Sequence, residues 1–262
     1  MRAEIRVSII EEDPFALNWM AMLLARDWRT RIINESETVC QLLKSLKNDL
    51  EHTDLILVDA DLINSRIIQK FQNTLKNWGN TKILVTGNLA SQNVWKYISR
   101  VPLISGYILK SEINYSLAWA VDLATEGYWV VTPGVQFLAN KLAMVLPQNS
   151  LVLDGRRTIN NLTDHEIKVA RMALIFSMER RELSDELGVS NDWGYGLVSA
   201  LYKKLGLEEV LSGEVEPSSY LGTHPTVLER VQFITNELQL SKKAKDLETL
   251  AFHMITMPEI SR

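Results

Sequence analysis

The chain is poor in the residues that build disulfide scaffolds and metal clusters. Its 262 residues include one cysteine, Cys40, and four histidines. A lone cysteine closes no intrachain disulfide, and no Cys/His grouping has the spacing of a zinc site. No apolar run approaches the ~20 residues that a membrane-spanning helix needs. Met1-Arg2-Ala3-Glu4-Ile5-Arg6 holds no hydrophobic core of a secretion signal. These absences lead us to expect a cytoplasmic protein with no membrane partner. An excess of positive charge is missing as well. The net charge is −4, so any grip on nucleic acid must come from a local patch.

What is present is an alternation of buried-strand and helix patterns. Ile5 to Ile10, Thr30 to Asn34, Leu55 to Asp59, Lys82 to Gly87 and Gly106 to Lys110 read as strands. The third is the most telling: Asp54-Leu55-Ile56-Leu57-Val58-Asp59 is an apolar, β-branched run ending abruptly in a carboxylate. Continuous hydrophobic runs mark strands of a parallel sheet covered on both faces. Helical patterns lie over Phe15–Ala25, Glu37–Leu50, Leu62–Trp78 and Asn114–Glu126. The expected fold is an α/β domain, a doubly wound five-stranded parallel sheet.

Open α/β sheets place their chemistry at the carboxyl ends of the strands. Those ends supply Glu11 and Glu12, Asp59, Thr86 and Lys110. Singly, each has a bland reading: an acidic helix start, a strand-end hydroxyl, a solvated charge. Together they suit phosphoryl transfer to a carboxylate. The acids would hold a divalent cation, while a hydroxyl and an ammonium bind the phosphoryl oxygens. Mg²⁺ prefers one or two carboxylates plus phosphate and water.

With these residues in view, the first ~130 positions resemble the receiver domain of two-component response regulators, a flavodoxin-like fold. The resemblance rests on Ile10-Glu11-Glu12-Asp13-Pro14, Asp59, Thr86 and Gly106-Tyr107-Ile108-Leu109-Lys110. It implies that Asp59 accepts a phosphoryl group from a sensor histidine kinase, and that Thr86 and Tyr107 switch in response. It also implies Mg²⁺ held by Glu11, Glu12, Asp59 and the backbone carbonyl of Asp61. Glu12 stands where the family has aspartate and is one methylene longer, which weakens a tight octahedral site. The family's Met-Pro pair after the phospho-acceptor is replaced by Ala60-Asp61-Leu62. The only chemistry implied is on the protein itself, so an enzyme acting on a separate substrate is not expected.

Beyond the receiver, residues 1–128, we expect a linker with a short helix over 129–155, then a helix-turn-helix domain over 156–213. Thr163 and Glu166 form a capping box, S/T-x-x-E, before the apolar stretch Ile167–Met178. Arg181 to Val189 reads as a second helix with a Gly188 stop, and Ser190 caps a third that ends at Tyr202-Lys203-Lys204-Leu205-Gly206. This spacing is that of a helix-turn-helix. It resembles the DNA-binding domain of quorum-sensing (LuxR-like) and spore-germination regulators. With the receiver it resembles the nitrate/nitrogen-fixation regulator group. The resemblance implies a homodimer and DNA contacts from Arg180, Arg181, Ser190, Tyr195, Lys203 and Lys204. The reading helix departs from the family, with Trp193, Gly194, Tyr195, Gly196 and Leu197 in place of its usual residues. Two glycines inside a helix cost roughly 1 kcal/mol each relative to alanine, so fraying is expected.

A C-terminal helical extension, residues 214–262, completes the expected architecture, with helices over 227–240 and 246–257. Two functional readings follow. In one, phosphorylation at Asp59 controls a DNA-binding output that regulates transcription. In the other, an atypical, phosphorylation-independent regulator works through a protein partner at Trp193, Tyr195 or the extension. His224 and His253 stand alone and are assigned no chemistry.

Overall fold

The computed structural model describes residues 4–48, 52–76, 80–156, 162–207, 235–236 and 244–262. The chain divides into two compact units, 3–156 with 258–262, and 157–257.

The first unit is built on one sheet. Its first five strands are β1 (Ile5–Ile10), β2 (Thr30–Ser36), β3 (Leu55–Asp59), β4 (Lys82–Gly87) and β5 (Ile104–Leu109). They are all parallel and lie in the order β2-β1-β3-β4-β5, the flavodoxin-like winding. β3 is central, and all five of its residues are buried. Ile56 and Val58 join Ile83, Val85, Phe71 and Trp95 in one core. Side chains alternate along a strand, so Leu55, Leu57 and Leu84 serve the opposite face. Each fully buried aliphatic side chain is worth about 1.5–3 kcal/mol, which makes this strand costly to displace.

The helices start where short polar side chains can satisfy free backbone donors. Asp13 caps α1 (Pro14–Ala25) through the Phe15 amide at 2.9 Å, with Pro14 in the first turn. After α2 (Val39–Asn48), Asn64 caps α3 (Ser65–Leu75) and Ser91 caps α4 (Gln92–Ile98). The sequence reading did not anticipate α4. The stretch expected as one helix over 114–126 is a 3₁₀ turn, Asn114–Ser116, followed by α6 (Leu117–Thr125), and a single helical turn, numbered α5 (Lys110–Ile113), precedes it.

The sheet is larger than the expected five strands. Residues 129–155, expected to be a linker, supply β6 (Trp129–Val131), α7 (Pro133–Lys141) and β7 (Ser150–Asp154), and both strands run parallel to β5. Residues 258–262, expected within the extension, add β8 (Glu259–Ser261) antiparallel to β7. The physical reason for the β5–β6 pairing is visible at Gly106. A Cβ there would lie 2.0 Å from the Val130 carbonyl oxygen, so only glycine lets the two backbones meet.

A buried charge cluster ties the α1–β2 turn to α6. Arg29 donates to Asp27 at 2.7 Å and to Asp122 at 2.9 Å, and its guanidinium lies 4.2 Å from the Trp119 ring centre. Burial alone would lower the Arg29 pKa, but the two carboxylates outweigh it and raise it.

The second unit is helical. It contains α8 (Asp164–Ala170), a π-helical turn over Arg171–Ile175, α9 (Arg180–Leu187) and α10 (Asn191–Lys204). The Thr163/Glu166 capping box is formed as expected, and Gly188 ends α9 in the left-handed conformation at φ 65°. α10 runs unbroken through Gly194 and Gly196, so neither glycine ends it. Val169, Ala173, Leu183, Val198 and Leu201 are buried in this unit, as are Leu250 and Met254 of α11 (Ala244–Thr256). The expected helix over 227–240 lies outside the described residues, apart from 235–236. No described helix is long and apolar enough to cross a membrane.

Candidate functional site

Strand order does the assembling. β1, β3, β4 and β5 are consecutive neighbours, and their carboxyl ends carry Glu11, Asp59, Thr86 and Lys110. Register brings Asp59 directly beside Thr86. Lys110 Nζ bridges two carboxylates, 2.5 Å from Asp59 Oδ2 and 2.6 Å from Glu11 Oε2. Asp59 Oδ1 accepts the Asp61 amide at 2.7 Å, which closes the 3₁₀ turn Ala60–Leu62 over the site. Glu11 and Asp59 are both buried, so these pairs operate with little screening. Burial raises the Glu11 pKa, the nearby Asp59 adds to the rise, and Lys110 opposes it. Burial would lower the Lys110 pKa, yet hydrogen bonds to Asp59 and Glu11 raise it.

Thr86 is 1% exposed, and among the described residues its hydroxyl has no hydrogen-bond partner. Leaving such a group unsatisfied costs about 1–3 kcal/mol. Thr86 and Lys110 line a cavity of about 30 Å³ beneath α1, with Trp19, Met20 and Leu117 among its walls. The site therefore holds an unspent donor beside a buried carboxylate.

Tyr107 is fully buried. Its hydroxyl donates to the Leu89 carbonyl at 2.6 Å and accepts from the Ser91 amide at 3.3 Å, pinning the loop that leads from Thr86 into α4. Burial pushes its pKa up to about 12, with the Asp61 and Asp59 charges adding to the rise. The ring needs Gly87, where a Cβ would meet Tyr107 Oη at 3.1 Å and Ala60 Cβ at 2.9 Å. Gly87 and the backbone of 89–91 were not anticipated as parts of the site. The Thr86-Gly87 pair was the available signal, because a glycine at a strand end marks a close approach.

The expected metal ligands divide. Glu11 and Asp59 converge on one cation, which here is the Lys110 ammonium. Glu12 has an exposed side chain, while Asp61, expected to act through its backbone carbonyl, sits in the 3₁₀ turn that directly follows Asp59; among the described residues no three acidic, histidine or cysteine side chains cluster as metal ligands. Two hard carboxylates within 2.6 Å of a single positive centre still match what Mg²⁺ requires of protein, the rest coming from water and phosphate.

The helix-turn-helix side is less unified. Arg181 and Lys203 are exposed. The Ser190 hydroxyl oxygen accepts the Trp193 amide at 3.3 Å as the cap of α10, a role that leaves its own O–H to donate. Lys204 Nζ lies 2.6 Å from Glu166 Oε1, which neutralises an expected phosphate contact. The hydrogen bond from Lys204, with that from the Thr163 amide, holds the Glu166 carboxyl down at about 2. Arg180 and Tyr195 lie on α9 and α10, with their side chains outside the described residues. Trp193, open in the sequence between core packing and a partner surface, is 47% exposed and lies 6.5 Å from the His165 ring.

No protein-family model matches the chain. No curated protein matches its sequence. Solved structures do resemble it. One is the response regulator ChrA of a heme-sensing two-component system, at 19% identity over 78% of this chain and 92% of that one, TM-score 0.42. Another is the Salmonella typhimurium RcsB response regulator, at 16% identity over 88% of this chain and 100% of that one, TM-score 0.46. A third is RcsB as two dimers bound to two parallel DNAs, at 16% identity over 78% of this chain and 93% of that one, TM-score 0.47. At identities of 16–19%, the chemistry of the site has to be read from its own residues.

Proposed function

We propose that the chain is a two-component response regulator, in which a phospho-accepting receiver controls a helix-turn-helix output on DNA. The observation that carries the reading is Asp59: a buried carboxylate 2.5 Å from Lys110 and beside the unsatisfied Thr86 hydroxyl. That grouping has little purpose as structure alone, because the orphan hydroxyl costs stability.

Asp59 attacks the phosphorus of a phosphodonor, a histidine phosphoramidate on a sensor kinase or a small acyl phosphate. The new O–P bond forms as the donor's P–N or P–O bond breaks, and the leaving group takes the electron pair. Lys110 then transfers its contact from Asp59 Oδ2 to a phosphoryl oxygen, and Thr86 donates its hydroxyl to another. Mg²⁺ would be held by Glu11, Glu12, Asp59 and the Asp61 carbonyl and would supply charge neutralisation. Phosphoryl transfer rests mainly on such positioning and electrostatics. Drawing Thr86 toward the phosphoryl group pulls on Gly87, which packs against the Tyr107 ring, and on the 89–91 loop.

The output would engage DNA through α10 as a homodimer. Arg181 and Lys203 offer charge, but Asp164, Glu182, Asp185, Glu186 and Asp192 are exposed in the same unit. DNA affinity is largely a phosphate term, so one copy binds weakly and two are needed. The exposed Trp193 and the neutralised Lys204 favour a second output, a protein partner on α10.

Fluorescence-anisotropy titration against random duplex DNA, over a salt series with and without acetyl phosphate and Mg²⁺, tests the reading. Salt-sensitive binding that tightens with the donor is expected. Binding indifferent to the donor would remove Asp59 from control, and no binding at low salt would select the protein-partner output.

A further inference from the structure

We infer that Lys110 is coupled to the output through its own helical turn, by way of Glu112 to Gly155 and Arg156, in addition to the Thr86–Tyr107 side of the site. The inference rests on the phospho-acceptor reading of Asp59 and concerns how that state leaves the α/β unit.

α5 is a single turn, Lys110–Ile113. Its first residue bridges Asp59 and Glu11, and its third residue makes three further ties. Glu112 Oε2 accepts the Gly134 amide at 2.8 Å in the first turn of α7. Glu112 Oε1 lies 3.2 Å from Arg156 Nη1. The Glu112 carbonyl accepts the Gly155 amide at 2.8 Å. Two glycines make these approaches sterically exclusive. A Cβ on Gly155 would lie 1.9 Å from the Ile113 carbonyl oxygen, and one on Gly134 would lie 2.8 Å from Leu109 Cδ1. Leu109 is itself tied to the added strands, its amide donating to the buried Thr132 hydroxyl at 3.0 Å.

These partners sit where the chain leaves the α/β unit. Arg156 is the last residue before the helical unit begins, and the chain returns at Pro258. β7 and β8 are antiparallel, with Asp154 opposite Glu259, so exit and return lie side by side. Arg156 also forks onto Asp154, with its Nε and Nη2 each 2.8 Å from an oxygen of that carboxylate. Asp154 and Glu259 face each other as like charges, and Arg156 offsets one of them. When a phosphoryl group draws the Lys110 ammonium away from Asp59, the part of the shift that the flexible lysine side chain does not take up passes to its four-residue turn. The turn moves as one piece, and the Gly155 amide, Arg156 and the neighbouring β8 move with it. Breaking either member of the Glu112–Arg156 pair tests the coupling directly.

The test uses the full chain, Arg156→Ala and Glu112→Gln, each with and without acetyl phosphate and Mg²⁺. Phosphoryl uptake is read by intact mass, and amide hydrogen exchange in peptides covering 150–156 and 258–262 by mass spectrometry. In the unaltered chain the donor should change exchange in both peptides several-fold. Both variants should take up phosphoryl to the same extent and lose most of that change. Exchange responses equal to those of the unaltered chain would overturn the coupling while leaving Asp59 as the acceptor. Absence of uptake in the unaltered chain would overturn the acceptor reading and the coupling with it. A second variant, Lys110→Met, needs no donor: it should speed exchange at 150–156 while the β1 and β3 peptides stay protected, and unchanged exchange there would also overturn the coupling.

Discussion

The two units handle charge in opposite ways. In the α/β unit the decisive charges are interlocked and mostly buried: Glu11 and Asp59 with the half-buried Lys110 at the strand ends, and Asp27, Arg29 and Asp122 between the α1–β2 turn and α6. In the helical unit the charges with described side chains are largely exposed, and a short ion pair, Glu166–Lys204, spends a cation that a DNA reading had placed on phosphate. Buried charges are determined by geometry and lose much when a partner is removed. Exposed charges act through their sum and are screened by salt. The α/β unit should therefore be brittle and specific, and the helical unit tolerant and tunable.

The sharpest way to break this contrast is Arg29→Met. Two buried carboxylates would be left without their cation, and we expect a loss of about 3–5 kcal/mol, read as a lower urea midpoint. A loss under ~1 kcal/mol would show that the cluster is not buried in solution. Next is Thr86→Val, which removes an orphan hydroxyl at nearly constant volume. Stability should hold or rise by up to about 1–3 kcal/mol while accumulation of the phosphorylated form falls. A destabilised variant would mean that the hydroxyl has a partner after all.

The same contrast explains what could be read from the sequence. β1 and β4 fall where their apolar runs placed them, and Asp59, Thr86 and Lys110 converge because parallel strands all end on one side. The capping box at Thr163 was legible because its two residues are three apart. β6 was not legible: Trp129-Val130-Val131 is three residues long, and its pairing depends on Gly106, distant in sequence. Nor was the Arg29–Asp122 pair, 93 residues apart, since nothing local marks either member. The fate of Lys204 was hidden for the same reason, because Glu166 meets it only through packing of α8 on α10.

On the tolerant side, Gly196→Ala should stabilise the helical unit. A Cβ there meets nothing among the described residues within 4 Å, and the exchange is worth roughly 0.5–1 kcal/mol in a helix. A rise in thermal midpoint by circular dichroism checks this, and a fall would place an unseen neighbour against α10. The smallest effect is expected from pH. The Glu166 carboxyl is held below its ordinary 4.5, at about 2, so its contribution is complete above 4.5 and is lost as pH falls toward 2. Helical signal should drop over that window, and Glu166→Gln should flatten the drop. An unchanged acid profile in the variant would exclude the pair as its source.

The adjacency of β7 and β8 has a consequence for how this chain can be rebuilt. Topologically the helical unit occupies the place of a hairpin loop, because the strands on either side of it are antiparallel neighbours. Closure entropy grows only slowly with loop length, so a whole domain fits there at little more cost than a long turn. A two-residue Asn-Gly turn joining Asp154 to Glu259 would recast the eight-stranded sheet as an uninterrupted domain. The α/β unit thereby becomes a socket for interchangeable cassettes, open to any inserted module whose ends are closely spaced.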